Sequence, residues 1–216
     1  FVLSSCAAAA PLRAASSPAR AAAVTIAAGE TYSLGQADLV LSGADTLDAD
    51  GTAANPCVIV GNGHAIVARA LTGHIKIQSC VFRGLGGTTE AAPALDLTAQ
   101  GSADITIAGS TFDASGSIRL HLGGSATATF KDNLLKENGI AYIQDELMGS
   151  NYVAAFHADG SSKAAKLFQG NRIYRSSATF DGVDNWLIGG YSDQLSNVVV
   201  GHRGVIRVRG NHVKVV

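Results

Sequence analysis

The stretch Lys166–Ser176, KLFQGNRIYRS, carries a pattern that returns four more times along the chain. A small or acidic residue precedes a polar or small one, and an apolar residue follows two positions later. The other copies are KIQSCVFRG (76–84), TIAGSTFDA (106–114), TFKDNLLKE (129–137) and RVRGNHVKV (207–215). Aligned on Cys80, Ser110, Asn133, Asn171 and Asn211, the spacings are 30, 23, 38 and 40 residues. These intervals indicate a solenoid whose unit is in the low twenties and sometimes carries a loop.

Apolar residues alternate with polar ones around each copy, as at Ile75 and Ile77 or Ile105 and Ile107. This period of two predicts short β-strands, separated by turns rich in Gly, Asn, Asp and Ser. No helical pattern of 10–15 residues lies between the strands, which excludes βαβ units. A sandwich and a propeller remain alternatives, but a parallel β-solenoid accounts best for the interval.

The segments IKIQSCVFRG, ITIAGSTFDASG, ATFKDNLLKENG, LFQGNRIYR and IRVRGNHVKV resemble right-handed parallel β-helix proteins of the pectate-lyase-like superfamily. The stretch DGTAANPCVIVG (50–61) is similar to an early rung of chondroitinase B and its alginate-lyase relatives. The resemblance implies one all-β domain over residues 24–216, a right-handed parallel β-helix of about eight or nine rungs. Because RGNHVKVV stops within a strand, we expect the rod to be truncated at its C-terminus.

The repeated asparagine is expected to serve folding. A sharp corner needs a residue that tolerates the left-handed conformation, as Gly and Asn do. Stacked asparagine amides can also bond to the rungs above and below. We therefore predict structural turn roles for Asn133, Asn171 and Asn211, and an interior position for Leu167 and Ile173.

Residues 1–23 are expected to be the remnant of an export signal and an Ala-rich linker. LSSC, ending at Cys6, resembles a lipobox whose cysteine would carry a lipid anchor; the alternative is an ordinary signal peptide cleaved near 21–23. Both predict a secreted, periplasmic or cell-surface protein, with no membrane contact except a lipid at Cys6. Of the remaining cysteines, Cys57 and Cys80 are expected to be small buried fillers, with pairing on adjacent layers as the alternative.

Charge is unevenly distributed. The segment 163–216 holds eight Lys or Arg against three Asp, whereas the whole chain has a net charge of −1. An anionic partner is therefore expected at the C-terminal part. The chain has no zinc-finger spacing, RNP-like motif or long basic run, so no nucleic acid is expected. We expect a monomer that binds an acidic polysaccharide.

Strand alternation points several basic side chains outward: Arg119 and His121 in IRLHL, Lys76 in IKI, and the arginines of IRVR. Stacked rungs would turn such positions into a basic ladder that suits a polymeric anion. The alternative is that they are the ordinary charges of a solvent-exposed face. The predicted substrate-binding residues are Arg175, Arg203, Arg207 and Arg209.

The segment 138–162 breaks the repeat and contains three carboxylates and a histidine. Asp145, Glu146 and Asp159 are candidate ligands for Ca²⁺, the one cofactor expected, although loop solvation would explain them equally well. Lyases of the resembled fold use a basic residue to take the proton α to a uronate carboxylate, which implies catalytic roles for His157, Lys166 and Arg172.

The expected function is binding of an acidic polysaccharide; whether the protein also cleaves the polymer by β-elimination, as a lyase would, is left open by the sequence. The alternative is a non-catalytic carbohydrate-binding or adhesin-like module. The Arg-x-Pro-x-x-Arg motif of pectate lyases and the aspartate set of polygalacturonases are both absent from the sequence.

Overall fold

A computed structural model describes residues 22–87, 92–136, 156–174, 178–189, 196–200 and 206–216. These residues form 22 strands and no helix, so the expectation of an all-β fold is confirmed. Within the described ranges, no helix could cross a membrane. The strands lie in three sheets of eight, seven and seven strands, which we call sheets A, B and C.

Successive strands visit the three sheets in turn. Sheet A contains β1 (Ala23–Ala27), β4 (Thr46–Asp50), β7 (His74–Gln78), β10 (Asp104–Ala108), β13 (Thr127–Lys131), β16 (Lys166–Gln169), β19 (Trp186–Ile188) and β22 (Lys214–Val215). Sheet B contains β2 (Thr31–Ser33), β5 (Cys57–Val60), β8 (Cys80–Arg83), β11 (Thr111–Asp113), β14 (Leu134–Lys136), β17 (Arg172–Tyr174) and β20 (Val198–Val200). Sheet C contains β3 (Leu39–Gly43), β6 (Ile66–Leu71), β9 (Leu95–Ala99), β12 (Ile118–Leu122), β15 (Phe156–Asp159), β18 (Ala178–Asp184) and β21 (Ile206–Asn211).

Every strand pair is parallel, and each strand pairs with the strands three places before and after it in the chain. The Asp104 and Thr127 pair, in β10 and β13, shows a coil of 23 residues. This arrangement is a parallel β-helix with three strands per coil. The first and last strands of each seven-stranded sheet are six coils apart, so the rod has fewer turns than the eight or nine predicted. The difference arises because long connections occupy chain that the prediction assigned to rungs.

The interior is a continuous apolar column. Inward side chains alternate along each strand and stack on the same position of the next coil. Phe82 and Phe112 stack with ring centroids 4.2 Å apart, and Phe130 and Phe168 with centroids 6.0 Å apart. Further along the rod, Trp186 packs edge-on against a neighbouring phenylalanine. Each ring is at most 2% exposed, so burial of aromatic surface is a large part of what stabilises the stack.

The corner between sheets A and B contains a ladder of polar side chains. Ser110 Oγ accepts a hydrogen bond from the Cys80 amide at 3.1 Å, and Asn133 Oδ1 accepts one from the Ser110 amide at 3.0 Å. Asn171 Oδ1 accepts from the Asn133 amide at 3.1 Å, and Asn197 Oδ1 accepts from the Asn171 amide at 3.0 Å. Each side chain therefore satisfies a backbone donor of the preceding coil. Asn197, the fourth member in this order, was not singled out from the sequence.

The corner conformation differs from the prediction in one respect. The left-handed residue is the one before Cys80, Ser110, Asn133 and Asn171, namely Ser79 (φ 49°), Gly109 (φ 58°), Asp132 (φ 56°) and Gly170 (φ 62°). The asparagine itself turns inward and is buried, at 1% exposure for Asn133 and 0% for Asn171. Two consecutive residues therefore form this corner. The first adopts the left-handed backbone conformation, and the side chain of the second makes the hydrogen bond to the preceding coil.

Asn211 does not belong to this ladder, contrary to its place in the sequence alignment. It is the exposed last residue of β21 and pairs with Asp184 of β18. It lies at the corner between sheets C and A, where Asn185 and His212 each have a φ of 53°. Both corners need a residue in the left-handed conformation, so similar sequence patterns occur at two different corners of the coil.

Cys57 and Cys80 form a disulfide between neighbouring coils, so the expectation of two independent fillers is wrong. The residues are in-register partners of β5 and β8, and their Cα atoms are 4.6 Å apart. Both are buried, in agreement with the expected location. The pairing follows from stacking, because two inward positions on adjacent coils lie about 4.8 Å apart.

The orientation of β16 is opposite to the one predicted. Lys166 pairs with Ala128 and Trp186, which are inward positions, and is only 4% exposed. Leu167 lies half-buried on the outer face beside Thr129 and Leu187. The larger Phe168 occupies the interior. Because residues two apart in a strand lie on the same face, Lys166 points inward as well. Ile173 is fully buried, as expected.

Candidate functional site

The outer face of sheet C carries a band of charged and polar side chains in two rows. The first row runs through Asp96, Arg119, His157 and Thr179, one from each of β9, β12, β15 and β18. The second row, two residues further along each strand, runs through His121, Asp159, Asp181 and Arg209. We call these eight residues the sheet C face. Period-two alternation places them outward, because their neighbours along each strand fill the core.

Two histidines and an aspartate lie at the centre of this face. His121 Nδ1 is 2.6 Å from Asp159 Oδ1, and His157 Nε2 is 3.7 Å from Asp159 Oδ2. His157 Nδ1 is 2.7 Å from Thr179 Oγ1. The three side chains are 37–59% exposed, so a ligand can reach them. We call His121, His157 and Asp159 the His–Asp–His cluster.

The contact between His121 and Asp159 defines the chemistry available. A carboxylate only accepts hydrogen bonds, so Nδ1 of His121 is the donor and carries the proton of the neutral ring. Nε2 of the same ring then holds the lone pair. A histidine oriented in this way by a carboxylate is the arrangement that general bases commonly use.

Two arginines flank the cluster, and each faces an aspartate. Arg119 Nη2 donates to Asp96 Oδ2 at 3.3 Å, whereas the Nε atom of Arg119 is buried and has no hydrogen-bond partner. Arg209 Nε lies 3.8 Å from Asp181 Oδ1, and its side chain is 88% exposed. Both guanidinium groups keep further donors, because arginine has five N–H groups.

The carboxylates are themselves neighbours. Asp159 and Asp181 are in-register partners on β15 and β18. Like charges in this position repel each other. The imidazole of His121 and the guanidinium of Arg209 lie on their two outer sides and offset that repulsion. The centre of the face is therefore a place where added positive charge is favourable.

The residues predicted from the sequence do not all meet on this face. His157, Asp159 and Arg209 belong to it. Arg207 is a residue of β21 paired with Thr179, but the structure describes only its backbone. The residues Arg175, Arg203, Asp145 and Glu146 lie outside the described ranges.

Lys166 and Arg172 lie elsewhere. Lys166 Nζ points into the interior and donates to the carbonyl oxygens of Ser162, at 2.7 Å, and Ala164. Burial lowers the pKa of Lys166, and the charge of Asp184 partly counteracts this effect. Arg172 is exposed on the outer face of sheet B, in register with Leu134. Neither side chain is in position to act with His157, because one faces inward and the other faces a different side of the rod.

The sequence predicts His121 only as an exposed position and does not identify Asp96 or Asp181 as part of a site. A comparison of two strand sequences could have identified the cluster. IRLHL and FHAD occupy the same register, so Arg119 aligns with His157 and His121 with Asp159. The offset between them cannot be counted along the chain, because the connection from β14 to β15 is much longer than the others.

A similar contact exists on sheet A. His74 Nε2 lies 3.0 Å from Asp48 Oδ2, and Lys76 Nζ lies 3.1 Å from Asp50 Oδ1. Here each basic residue faces its own aspartate, so no carboxylate is shared by two histidines. Sheet A therefore offers a comparison surface with the same residue types but without the cluster.

The expected Ca²⁺ site is not found among the described residues, which contain no group of three or more His, Cys, Asp or Glu arranged to hold a metal ion. Of the three expected ligands only Asp159 lies in the described ranges, where imidazole nitrogens face both of its carboxylate oxygens, so the Ca²⁺ site stays a prediction. Calcium prefers six to eight oxygen ligands. The sheet C face offers three carboxylates interspersed with imidazole and guanidinium groups.

No protein-family model, curated protein or solved structure matches this chain.

Proposed function

We propose that this chain is an exported β-helix protein, related in kind to the pectate-lyase-like superfamily, that binds an acidic polysaccharide on its sheet C face and cleaves it by β-elimination. The observation that carries the proposal is the His–Asp–His cluster between Arg119 and Arg209. It supplies an oriented base and two cations on one exposed surface.

His121 is the proposed base. Its Nε2 takes the proton α to a uronate carboxylate, and the electron pair of that C–H bond forms the new carbon–carbon double bond. The bond to the glycosidic oxygen then breaks, and the departing oxygen takes a proton from solvent. Arg119 neutralises the uronate carboxylate, on which the negative charge grows during proton removal.

His157 and Asp159 act through His121 in this scheme. Asp159 holds the His121 ring with its lone pair outward and stabilises the imidazolium after proton transfer. His157 Nε2 lies 3.7 Å from the same carboxylate, and the contact of its Nδ1 with Thr179 Oγ1 at 2.7 Å positions the ring. This revises the roles expected from the sequence. His157 is now a positioning residue that acts through His121. His121 and Arg119 take the catalytic roles that were expected for Lys166 and Arg172.

Location outside the cytoplasm is part of the proposal. The Cys57–Cys80 disulfide supports it, because disulfides persist in oxidising compartments. The export-type sequence of residues 1–23 agrees, with Cys6 as the candidate site of a lipid anchor. We propose a monomer, with membrane contact only through that lipid.

The experiment is an assay with alginate, pectate and glycosaminoglycans, with and without Ca²⁺, that follows the absorbance of the unsaturated product. We expect activity on at least one uronate polymer. His121→Ala should lower kcat by about 10²–10⁴-fold, the usual contribution of a general base. His74→Ala on sheet A is the matched control and should keep the wild-type rate, as should Arg172→Ala.

If no polymer gives unsaturated product, either with or without Ca²⁺, the lyase proposal is wrong. Full activity of His121→Ala, together with loss of activity in Arg172→Ala, would move the site to sheet B.

The second candidate is a non-catalytic carbohydrate-binding module. It is favoured by the pairing of both arginines with aspartates, which is also how a solvated protein face neutralises its own charge. Binding of a polymer without any unsaturated product, unchanged in His121→Ala, would select this candidate.

A further inference from the structure

We infer that the sheet C face binds anionic polysaccharide under pH control, with the two histidines of the His–Asp–His cluster as the switch. The inference rests on the binding part of the proposed function and deepens it. It concerns affinity and does not require that the polymer be cleaved.

The charges on the face give the reason. Three carboxylates, Asp96, Asp159 and Asp181, face two guanidinium groups, Arg119 and Arg209. With both imidazoles neutral these five groups sum to −1. With both imidazoles protonated the cluster and its flanking charges sum to +1. Protonation of His121 and His157 therefore makes the charge that the polymer meets more positive by two.

The packing of the cluster identifies the groups that influence the two rings. His121 has Thr98 beside it on β9, Asp159 on β15, and Arg119 on its own strand. His157 has Arg119 beside it on β12, Thr179 on β18, and Asp159 on its own strand. Asp181 and Arg209 lie one and two strands beyond Asp159, and Asp96 lies one strand before Arg119. Arg207 of β21 adds a formal positive charge to the same sheet.

Geometry also allows the protonated state. Asp159 lies between the two rings, so one carboxylate accompanies both imidazolium groups when they form. Asp181, in register with Asp159, adds a second negative charge at this point. Histidine is the side chain that changes charge between about pH 5 and 8.

Binding and proton removal have opposite requirements on this face. Affinity rises when His121 is protonated, whereas a base must be neutral to take a proton. If the chain is a lyase, kcat and KM should rise together as the pH increases from about 5 to 8. A structural role of the histidines alone would not produce this coupled change.

The test uses chondroitin sulfate as the probe, because its sulfate groups stay ionised throughout the range, and neutral dextran as the blank. Dissociation constants are measured at about pH 5 and about pH 8. We expect the wild type to bind about ten-fold more tightly at the lower pH, a typical effect of two added surface charges. The double variant His121→Gln/His157→Gln should bind with the same weak affinity at both pH values.

Two further variants keep the test independent of folding. His74→Gln removes a histidine that also faces an aspartate, but on sheet A, and should retain the full pH response. Asp159→Asn removes one negative charge from the cluster and should tighten binding at about pH 8 toward the acid value. Circular dichroism and thermal unfolding show whether each variant keeps the fold.

An equal pH response in the wild type and the double variant would overturn the switch and leave the proposed function standing. A lost response in His74→Gln would move the switch to sheet A and overturn it as well. Absence of binding to chondroitin sulfate, alginate and pectate at both pH values would overturn the inference and the proposed function together.

Discussion

Asn171 is fully buried at a corner, yet each of its side-chain polar atoms is engaged. Its Nδ2 donates to the Phe130 carbonyl at 2.9 Å, and its Oδ1 accepts from the Asn133 amide. Gly170 before it takes the left-handed turn, so the asparagine is free to point inward. A buried amide with all partners present stabilises a corner that would otherwise leave backbone groups unsatisfied.

Asn171→Ala should lower the free energy of unfolding by about 3 kcal/mol, because the Asn133 amide and the Phe130 carbonyl lose buried partners. Denaturant unfolding followed by circular dichroism measures the change. Asn211→Ala is the control, and it should stay within about 0.5 kcal/mol of wild type because the side chain is exposed. Equal costs for both substitutions would contradict the assignment of the two asparagines to different corners.

Lys166 is the second residue with an unusual environment. Because burial lowers the pKa of Lys166, the folded protein holds this proton less tightly than the unfolded chain. Stability should therefore rise with pH between the lowered pKa and the ordinary lysine value of about 10.4, and level off above it. The carbonyls of Ser162 and Ala164 need the Nζ donor at every pH in that range.

Lys166→Met should lack this rise in stability and should be less stable than wild type at neutral pH by about 2 kcal/mol, since two carbonyls lose their donor. Thermal unfolding from about pH 7 to 10 in both proteins isolates the residue, because all other titrating groups are shared. A parallel pH profile in the two proteins would show that Lys166 is not buried as described.

The inward orientation of Lys166 could not be predicted from the local sequence. In KLFQ, either Leu167 or the pair Lys166 and Phe168 can face inward, and a local pattern gives no preference. Stacking decides, because Phe168 meets Phe130 on one side and Ile188 on the other. The neighbours of a residue in a β-helix are one coil away, so the deciding contacts are distant in the chain.

At the level of strands and sheets, the rows of outward side chains divide by face. Sequence alternation grouped Lys76, Arg119 and Arg207 into one basic ladder. The structure places Lys76 on sheet A, and Arg119 and Arg207 on sheet C. Alternation tells inside from outside, which is why the fold class and most exposed positions could be predicted. The choice of sheet depends on corner lengths, which range from the single residue Ser79 to the connection between β14 and β15.

The disulfide between β5 and β8 is a link between two elements that the sheet hydrogen bonds already join. It closes a separation of 23 residues, which predicts a stabilisation of about 3 kcal/mol from the restricted unfolded chain. The reduced protein should unfold at a lower temperature than the oxidised one. The Cys57→Ala/Cys80→Ala variant should not respond to reductant, and identical unfolding temperatures of the oxidised and reduced wild type would contradict the link.

At the scale of the whole molecule, each coil contacts chiefly the coils before and after it, as in other solenoids. The coil of β10, β11 and β12 is bounded by in-register positions, because Asp104 pairs with His74 on one side and Thr127 on the other. Removal of residues 104–126 would bring β7, β8 and β9 against β13, β14 and β15 with every inward residue still inward. Circular dichroism should still show a folded β protein.

That coil also carries Arg119 and His121. The shortened protein should therefore fold and yet, under the proposed function, fail to bind the polymer. Because the register is regular, the length of the rod can change by whole coils. Each coil contributes its own side chains to the sheet C face. Its width along the rod, and with it the length of polymer that the proposed site would contact, is a quantity that gain or loss of coils can alter without any change in the scaffold.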